Sequence, residues 1–252
     1  MTLLEAIKLR LLMADPIVHD VKNAVLPPRF RSMPSIADKA CVAGCDKCVS
    51  VCPTNAITLN PLKIDLGKCV MCPACEMACP QGIISSKKTN HISATKREDL
   101  IISAATKEIT PEKASAKIRS YFGRSLKLRQ VSAGGCNGCE LELNALNNVN
   151  FDMGRFGIEF TASPRHADGI VITGPITKNM EKALRICYEA VPNPKLVILT
   201  GSCAISGGVF QESKEIDRKF LEETKVDLYI PGCPTHPLTF VCGLLEYLGR
   251  KG

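Results

Sequence analysis

Eight of the chain's fourteen cysteines fall between Cys41 and Cys79, and they repeat. Cys45, Cys48 and Cys52-Pro53 return as Cys72, Cys75 and Cys79-Pro80 at a constant offset of 27, with Ile57 answered by Ile84. Spacing this tight forces several thiols into one small volume twice over. The segment therefore predicts two similar halves related by a pseudo-twofold axis. Buried free cysteines would have no reason to keep the spacing twice, so the thiols read as a disulfide scaffold or as metal ligands.

The compartment decides between those two. Residues 1–20 hold Lys8, Arg10, Asp15 and Asp20 with no long apolar core and no twin arginine, so they do not read as an export signal. No run reaches the roughly 18 uninterrupted apolar residues that span a bilayer. A cytoplasmic location is expected, where disulfides are rare and thiolate-bound iron suits the cysteine usage. Zinc is the alternative for paired C-x-x-C units. The second half, Cys69-x2-Cys72-x2-Cys75-x3-Cys79-Pro80, matches the bacterial ferredoxin pattern, in which the fourth cysteine crosses to the other cluster. The expected sets are Cys41, Cys45, Cys48 and Cys79 for one 4Fe-4S cluster, and Cys69, Cys72, Cys75 and Cys52 for a second. The first half carries three residues, not two, between Cys41 and Cys45.

A different cysteine pattern follows. Gly134-Gly135-Cys136-Asn137-Gly138-Cys139-Glu140 lies between an expected strand, 126–131, and an expected helix, 140–149. Further strands are expected at 157–161, 169–173, 195–200 and 226–230, with helices at 178–190, 213–224 and 237–248. Strands alternating with helices predict a parallel sheet covered on both faces, a doubly wound α/β fold. Ligands in such folds gather at the carboxyl ends of the strands. Cys136, Cys139, Cys203 and Cys233 fall in three of those loops, which predicts a third cluster. Cys187 and Cys242 sit inside helical apolar patterns and read as small core residues.

Four segments are expected: an N-terminal helix and arm (1–35), a two-cluster α+β ferredoxin-like domain (36–90), a basic linker (91–123) and the α/β domain (124–252). Leu3, Leu4, Ile7, Leu11 and Leu12 recur at helical spacing, which suits either a membrane surface or a partner subunit. Residues 81–130 hold 11 Lys and Arg against 4 acidic side chains, while the rest of the chain balances. With only Tyr121 and Phe122 as aromatics there, a solvated or partner-facing connector is expected and nucleic acid is not. A short helix is expected over 115–122.

Gly135-Cys136-Asn137-Gly138-Cys139-Glu140, Ser163-Pro164-Arg165-His166-Ala167-Asp168, Thr173-Gly174-Pro175-Ile176-Thr177, Gly201-Ser202-Cys203 and Pro231-Gly232-Cys233-Pro234 together resemble the small subunit of membrane-bound nickel-iron hydrogenases. The nearest group is formate hydrogenlyase and the energy-converting hydrogenases, whose small subunits are related to a cluster-bearing subunit of respiratory complex I. The N-terminal half resembles the ferredoxin subunit of the same complexes. The resemblance implies a flavodoxin-like fold, three 4Fe-4S clusters with a proximal one on the four late cysteines, and no catalytic residue in this chain. It also implies a separate large subunit, integral membrane subunits, a ferredoxin or formate-dehydrogenase-type donor, and a peripheral place on the inner face of the membrane. The spaced Cys136 and Cys139 favour the hydrogenase branch over complex I, where the two are adjacent. Nickel-free sulfur or quinone reductases and a free-standing polyferredoxin are the other readings. Thr235 stands where the commoner pattern has a second proline.

Glu140 suits either a helix-dipole role or the large-subunit interface. Arg165 and His166 are expected on the cluster-bearing edge, as neighbours of the cluster or as loop anchors. His236 suits a helix cap or a place beside a ligand. His91 has no partner visible in the sequence.

Overall fold

The computed structural model describes residues 2–13 and 16–251. Helix α1 (Leu3–Leu12) is closed by a capping box between Thr2 and Glu5, and none of its residues is buried. The ferredoxin-like part contains β1 (Met33–Ile36), α2 (Lys47–Ser50), β2 (Ile57–Thr58), β3 (Lys63–Asp65), α3 (Ala74–Ala78) and β4 (Ile84–Lys87). Strands β1 and β4 pair antiparallel, as do β2 and β3. The strands bury Met33, Ile36, Ile57, Ile64 and Ile84 beneath the cysteine loops.

Segment 91–123 differs from expectation. It carries β5 (Ile101–Ile102), which extends the small sheet by pairing with β3. Ala94 makes an antiparallel bridge with Tyr229, and Ala114 donates its amide to the Tyr247 carbonyl at 2.7 Å. Ile92, Ala94, Leu100, Ile102 and Ile109 are buried. The charges lie on the surface, as expected, but the alternating apolar residues tie this segment into the core. Its helix α4 (Ala116–Phe122) is capped by Ser115.

The second part contains β6 (Leu126–Ser132), α5 (Gly138–Ala145), β7 (Ile158–Phe160), β8 (Gly169–Thr173), α6 (Lys178–Ala190), β9 (Leu196–Thr200), α7 (Ser202–Ser206), α8 (Lys219–Glu223), β10 (Leu228–Ile230) and α9 (Pro237–Leu248). The sheet is fully parallel with order β10-β9-β8-β6-β7. Counted within the sheet this is the 2-1-3-4-5 order of flavodoxin-like folds. Successive strand residues alternate between faces: Ile170 and Ile172 join one core, Val171 the other. The first core is continuous with that of the ferredoxin-like part, while α5, α9 and Val21 of the N-terminal arm cover the second face.

The expected helix over 213–224 shrinks to α8. Ile216 instead bridges to Thr177, and Asp217 donates its amide to the Ile176 carbonyl. Those backbone groups are committed to the loop after β8 and cannot form a helical ladder.

Candidate iron-sulfur centres

The first thiol set is open. Cys41 is exposed, and Cys41 and Cys45 line a cleft of about 770 Å³ bounded by residues 59–63 and 103–105. Burial pushes the Cys48 thiol up, and Cys41 and Cys79 add repulsion to its charged form, so these three lie within electrostatic reach of one another. Burial would also raise Cys79, but the backbone N–H groups of Ile83, Gln81, Ile84 and Gly82 outweigh it and hold the thiol low.

The second set is enclosed. Cys52, Cys69, Cys72 and Cys75 line one small cavity walled by Ala56, Ile57 and Ile64. Burial pushes Cys69 up to about 12 and raises Cys75, each with added repulsion from its fellows in this set. The repeat extends to hydrogen bonds: Ala56 N donates to Cys52 Sγ, and Ile83 N donates to Cys79 Sγ, both at 3.3 Å. Donors aimed at sulfur favour the thiolate and raise the potential of a bound cluster.

The third set gathers at the carboxyl edge of the parallel sheet. Cys136 and Cys139 follow β6, Cys203 follows β9 and Cys233 follows β10. The loop after β6 meets the loop after β8 where Gly174, at φ +80, lies against Gly135; a Cβ there would stand 2.5 Å from the Gly135 nitrogen. Gly201, at φ +89, plays the same part for sulfur, since its Cβ would come within 2.6 Å of Cys139 Sγ. Burial pushes Cys139 up to about 12 and Cys203 up to about 11, with repulsion from Glu140 and the other cysteines of the set. Cys136 and Cys233 are exposed.

The structure makes neighbours of Cys41, Cys48 and Cys79, with Cys45 on the same cleft as Cys41, and it gathers Cys52, Cys69, Cys72 and Cys75, and Cys136, Cys139, Cys203 and Cys233, into two further groups; donor sets made of thiols alone would suit iron-sulfur chemistry. Among the described residues no three Cys, His, Asp or Glu side chains converge closely enough to share one metal ion. A cubane instead bridges thiols that each meet a different iron, around a cavity.

The second and third sets are neighbours. Cys72 is one of two cysteines whose charge acts on Cys233. Ser202, buried and adjacent to Cys203, donates its hydroxyl to the Cys69 carbonyl at 2.6 Å, and its amide to the Gly232 carbonyl at 2.9 Å. One residue thus joins the backbone of the second thiol set, at Cys69, to that of the third, beside Cys203 and Cys233.

Glu140 is buried, and its Oε1 accepts a hydrogen bond from Thr173 Oγ1 at 2.6 Å. His236 caps α9, its Nδ1 accepting from Leu238 N at 3.2 Å, and its ring packs edge-on to Phe30 and Phe151. Arg165 and His166 are exposed in a 3-10 turn, Pro164–His166, packed against α6 and β6; among the described contacts neither hydrogen-bonds a cysteine. Cys242 is buried as expected and accepts from Asn90 Nδ2 at 3.2 Å, whereas Cys187 is only half-buried. His91 has a partner after all: Nδ1 pairs with Glu246, and Nε2 meets the Lys22 carbonyl at 2.9 Å.

Sequence reasoning missed Ser202, Arg218 and Glu142. Ser202 could have been found from its place beside Cys203. Glu142 stands one helical turn beyond Cys139, on a cavity of about 250 Å³ shared with Cys233 and His236, and burial raises its carboxyl. Arg218 had no signal.

Residues 136–247 match the family described as NADH ubiquinone oxidoreductase, 20 Kd subunit, and residues 40–83 match the 4Fe-4S dicluster domain. The chain is 37% identical over 139 residues to the probable membrane-bound hydrogenase subunit mbhJ of Pyrococcus furiosus, covering 55% of this chain and 83% of that one. The chain belongs to the 20 kDa oxidoreductase subunit family. Other members include formate hydrogenlyase subunit 7 of Escherichia coli, 40% identical over 53% of this chain and 52% of that one. An NADH-quinone oxidoreductase subunit of Citrifermentans bemidjiense is 44% identical over 43% of this chain and 63% of that one. The chain thus spans about half to two thirds of the length of these last two relatives. Family membership with a dicluster domain makes this an iron-sulfur, electron-transferring oxidoreductase subunit. No helix among the described residues is long and apolar enough to cross a membrane.

Proposed function

We propose that this chain relays electrons within a membrane-bound nickel-iron hydrogenase complex, through three 4Fe-4S clusters. Their ligands are Cys41, Cys45, Cys48 and Cys79; then Cys69, Cys72, Cys75 and Cys52; then Cys136, Cys139, Cys203 and Cys233. The observation that carries the reading is the Ser202 hydroxyl on the Cys69 carbonyl, which fixes the second thiol set against the third. When bound, the clusters accept and release single electrons.

The protein's own work is to hold the relay in order. The open first set faces an external donor of ferredoxin or formate-dehydrogenase type. The enclosed second set passes charge inward. The third set exposes Cys136 and Cys233, and Leu141, two residues after Cys139, and Val209 and Phe210, which follow the Gly208 that abuts Cys203, are exposed as well. Exposed apolar side chains around thiols suit a docked large subunit that carries the active site. Placing all three sets in one chain replaces diffusional encounter between carriers by a fixed arrangement. Integral membrane subunits would hold the complex at the cytoplasmic face of the membrane. The spacing of Cys136 and Cys139 supports the hydrogenase branch, as does the long match to the Pyrococcus hydrogenase subunit.

The test is anaerobic purification of the complex through this chain, with metal analysis and hydrogen release from a reduced low-potential dye. About twelve irons per chain, at four per cubane, are expected. Nickel near one per complex with hydrogen release supports the reading. Iron without nickel or hydrogen would assign the relay to another oxidoreductase.

A further inference from the structure

Arg218 is half-buried and turns its guanidinium under α7, the short helix that carries Cys203. Nη2 donates to the carbonyls of Ala204 at 2.8 Å and Ile205 at 2.9 Å. Nη1 donates to those of Pro175 at 3.2 Å and Cys203 at 3.3 Å. Four neutral carbonyls accept from its two Nη groups but leave its charge unmatched. The nearby cation Arg97 is different, since Asp65 pairs with it at 2.7 Å. Burial disfavours the Arg218 charge, Arg97 repels it, and among the described residues the group that attracts it is Cys203.

A guanidinium drawn from water without a counter-anion is costly. The negative charge that would balance it stands beside it once the third thiol set holds iron. Four thiolates leave a 4Fe-4S core net negative, and an added electron makes it more so. Cluster potentials follow net charge and nearby hydrogen bonding.

We propose that Arg218 is the counter-charge of the Cys136, Cys139, Cys203 and Cys233 centre, a positioning residue that eases arrival of an electron there. The inference rests on the three-cluster reading above. The step it assists moves one electron: the centre held by Cys52, Cys69, Cys72 and Cys75 is oxidised, the third centre is reduced, and no bond forms or breaks. Arg218 stays bound to its four carbonyls throughout.

The test is an EPR-monitored redox titration of the purified full-length chain in its complex, comparing wild type with Arg218→Gln and Arg218→Lys. In wild type, about twelve irons and three reducible signals are required first; about eight irons would sink the three-cluster reading itself. Given three signals, Arg218→Gln is expected to make the third centre at least tenfold harder to reduce, about 59 mV for one electron, with the other two shifted less. Arg218→Lys keeps the charge and is expected to stay within about threefold of wild type. An unshifted third centre in Arg218→Gln overturns the proposal. If Arg218→Gln fails to retain that centre, Arg218→Lys decides: retention at a near-native potential supports the counter-charge, while loss or a tenfold shift marks a purely structural cap.

Discussion

The two thiol sets drawn from the cysteine repeat share a motif and differ in how far they are enclosed. Cys41 and Cys45 line an open cleft of about 770 Å³, whereas Cys52, Cys69, Cys72 and Cys75 close around a small apolar cavity. The open set contains the extra residue between Cys41 and Cys45, and Gly44 there has φ +72 with nothing within 4 Å of its missing side chain. The enclosed set is roofed by the α/β part through Ser202, and through Gln211, whose side chain donates to the Thr54 carbonyl. A repeat built for symmetry has been made directional by what was packed on one side of it. Motif spacing fixes which thiols can meet; the neighbouring fold decides which set meets water.

That contrast can be broken at its strongest point first. Cys69→Ala is expected to remove the middle centre and cut electron flow between the outer two at least a hundredfold, read by rapid-freeze EPR after reduction. Cys41→Ala, in the open set, should leave the Cys69 set and the third set reducible. Packing comes next: Ile64→Ala beside the enclosed set is expected to cost about 2–5 kcal/mol by denaturant unfolding, since Ile64 is fully buried. Val42→Ala beside the open cleft, where the side chain is exposed, should cost less than about 0.5 kcal/mol. Oxidative damage should show the same order, with the first centre losing its signal before the second under controlled oxygen exposure.

Smaller effects sharpen the contrast away from the repeat. Glu140 repels added negative charge at the third set, so Glu140→Gln is expected to make that centre several-fold easier to reduce in the same titration, opposite in sign to Arg218→Gln. Smallest is a pH effect. The hydrogen bond that the His91 ring donates to the Glu246 carboxylate raises His91 above its ordinary value. The folded state therefore binds the proton more tightly, and the stabilisation is complete below about pH 6.5 and is lost as pH rises through the raised folded value. His91→Gln should flatten that part of a stability profile measured by thermal unfolding from mildly acidic to mildly alkaline pH.

Much of the fold was legible from residues alone. Strand 169–173 and helices 178–190 and 237–248 stand where their apolar runs and periodicity put them. The convergence of Cys136, Cys139, Cys203 and Cys233 followed from the rule that ligands collect at the carboxyl ends of parallel strands. The misses have physical causes. Ile101–Ile102 is a strand of two residues, too short for an alternation to register, and its partner β3 lies far earlier in the chain. Residues 213–218 have helical composition, but their backbone groups are claimed by Thr177 and Ile176. Arg218 acts through carbonyls, which no side-chain pattern reveals, and His91 meets a carboxylate 155 residues away.

The ferredoxin-like strands and one face of the parallel sheet share a continuous core, from Ile64 and Leu66 through Ile205 to Ile172 and Leu199. Nothing in that arrangement resembles a hinge, and the seam is pinned by Ser202. A redox protein that ferries charge by swinging one carrier between two stops must slow when the solvent thickens. Here the distance from the second thiol set to the third is a property of the folded core, and electron transfer between centres held there should be indifferent to glycerol.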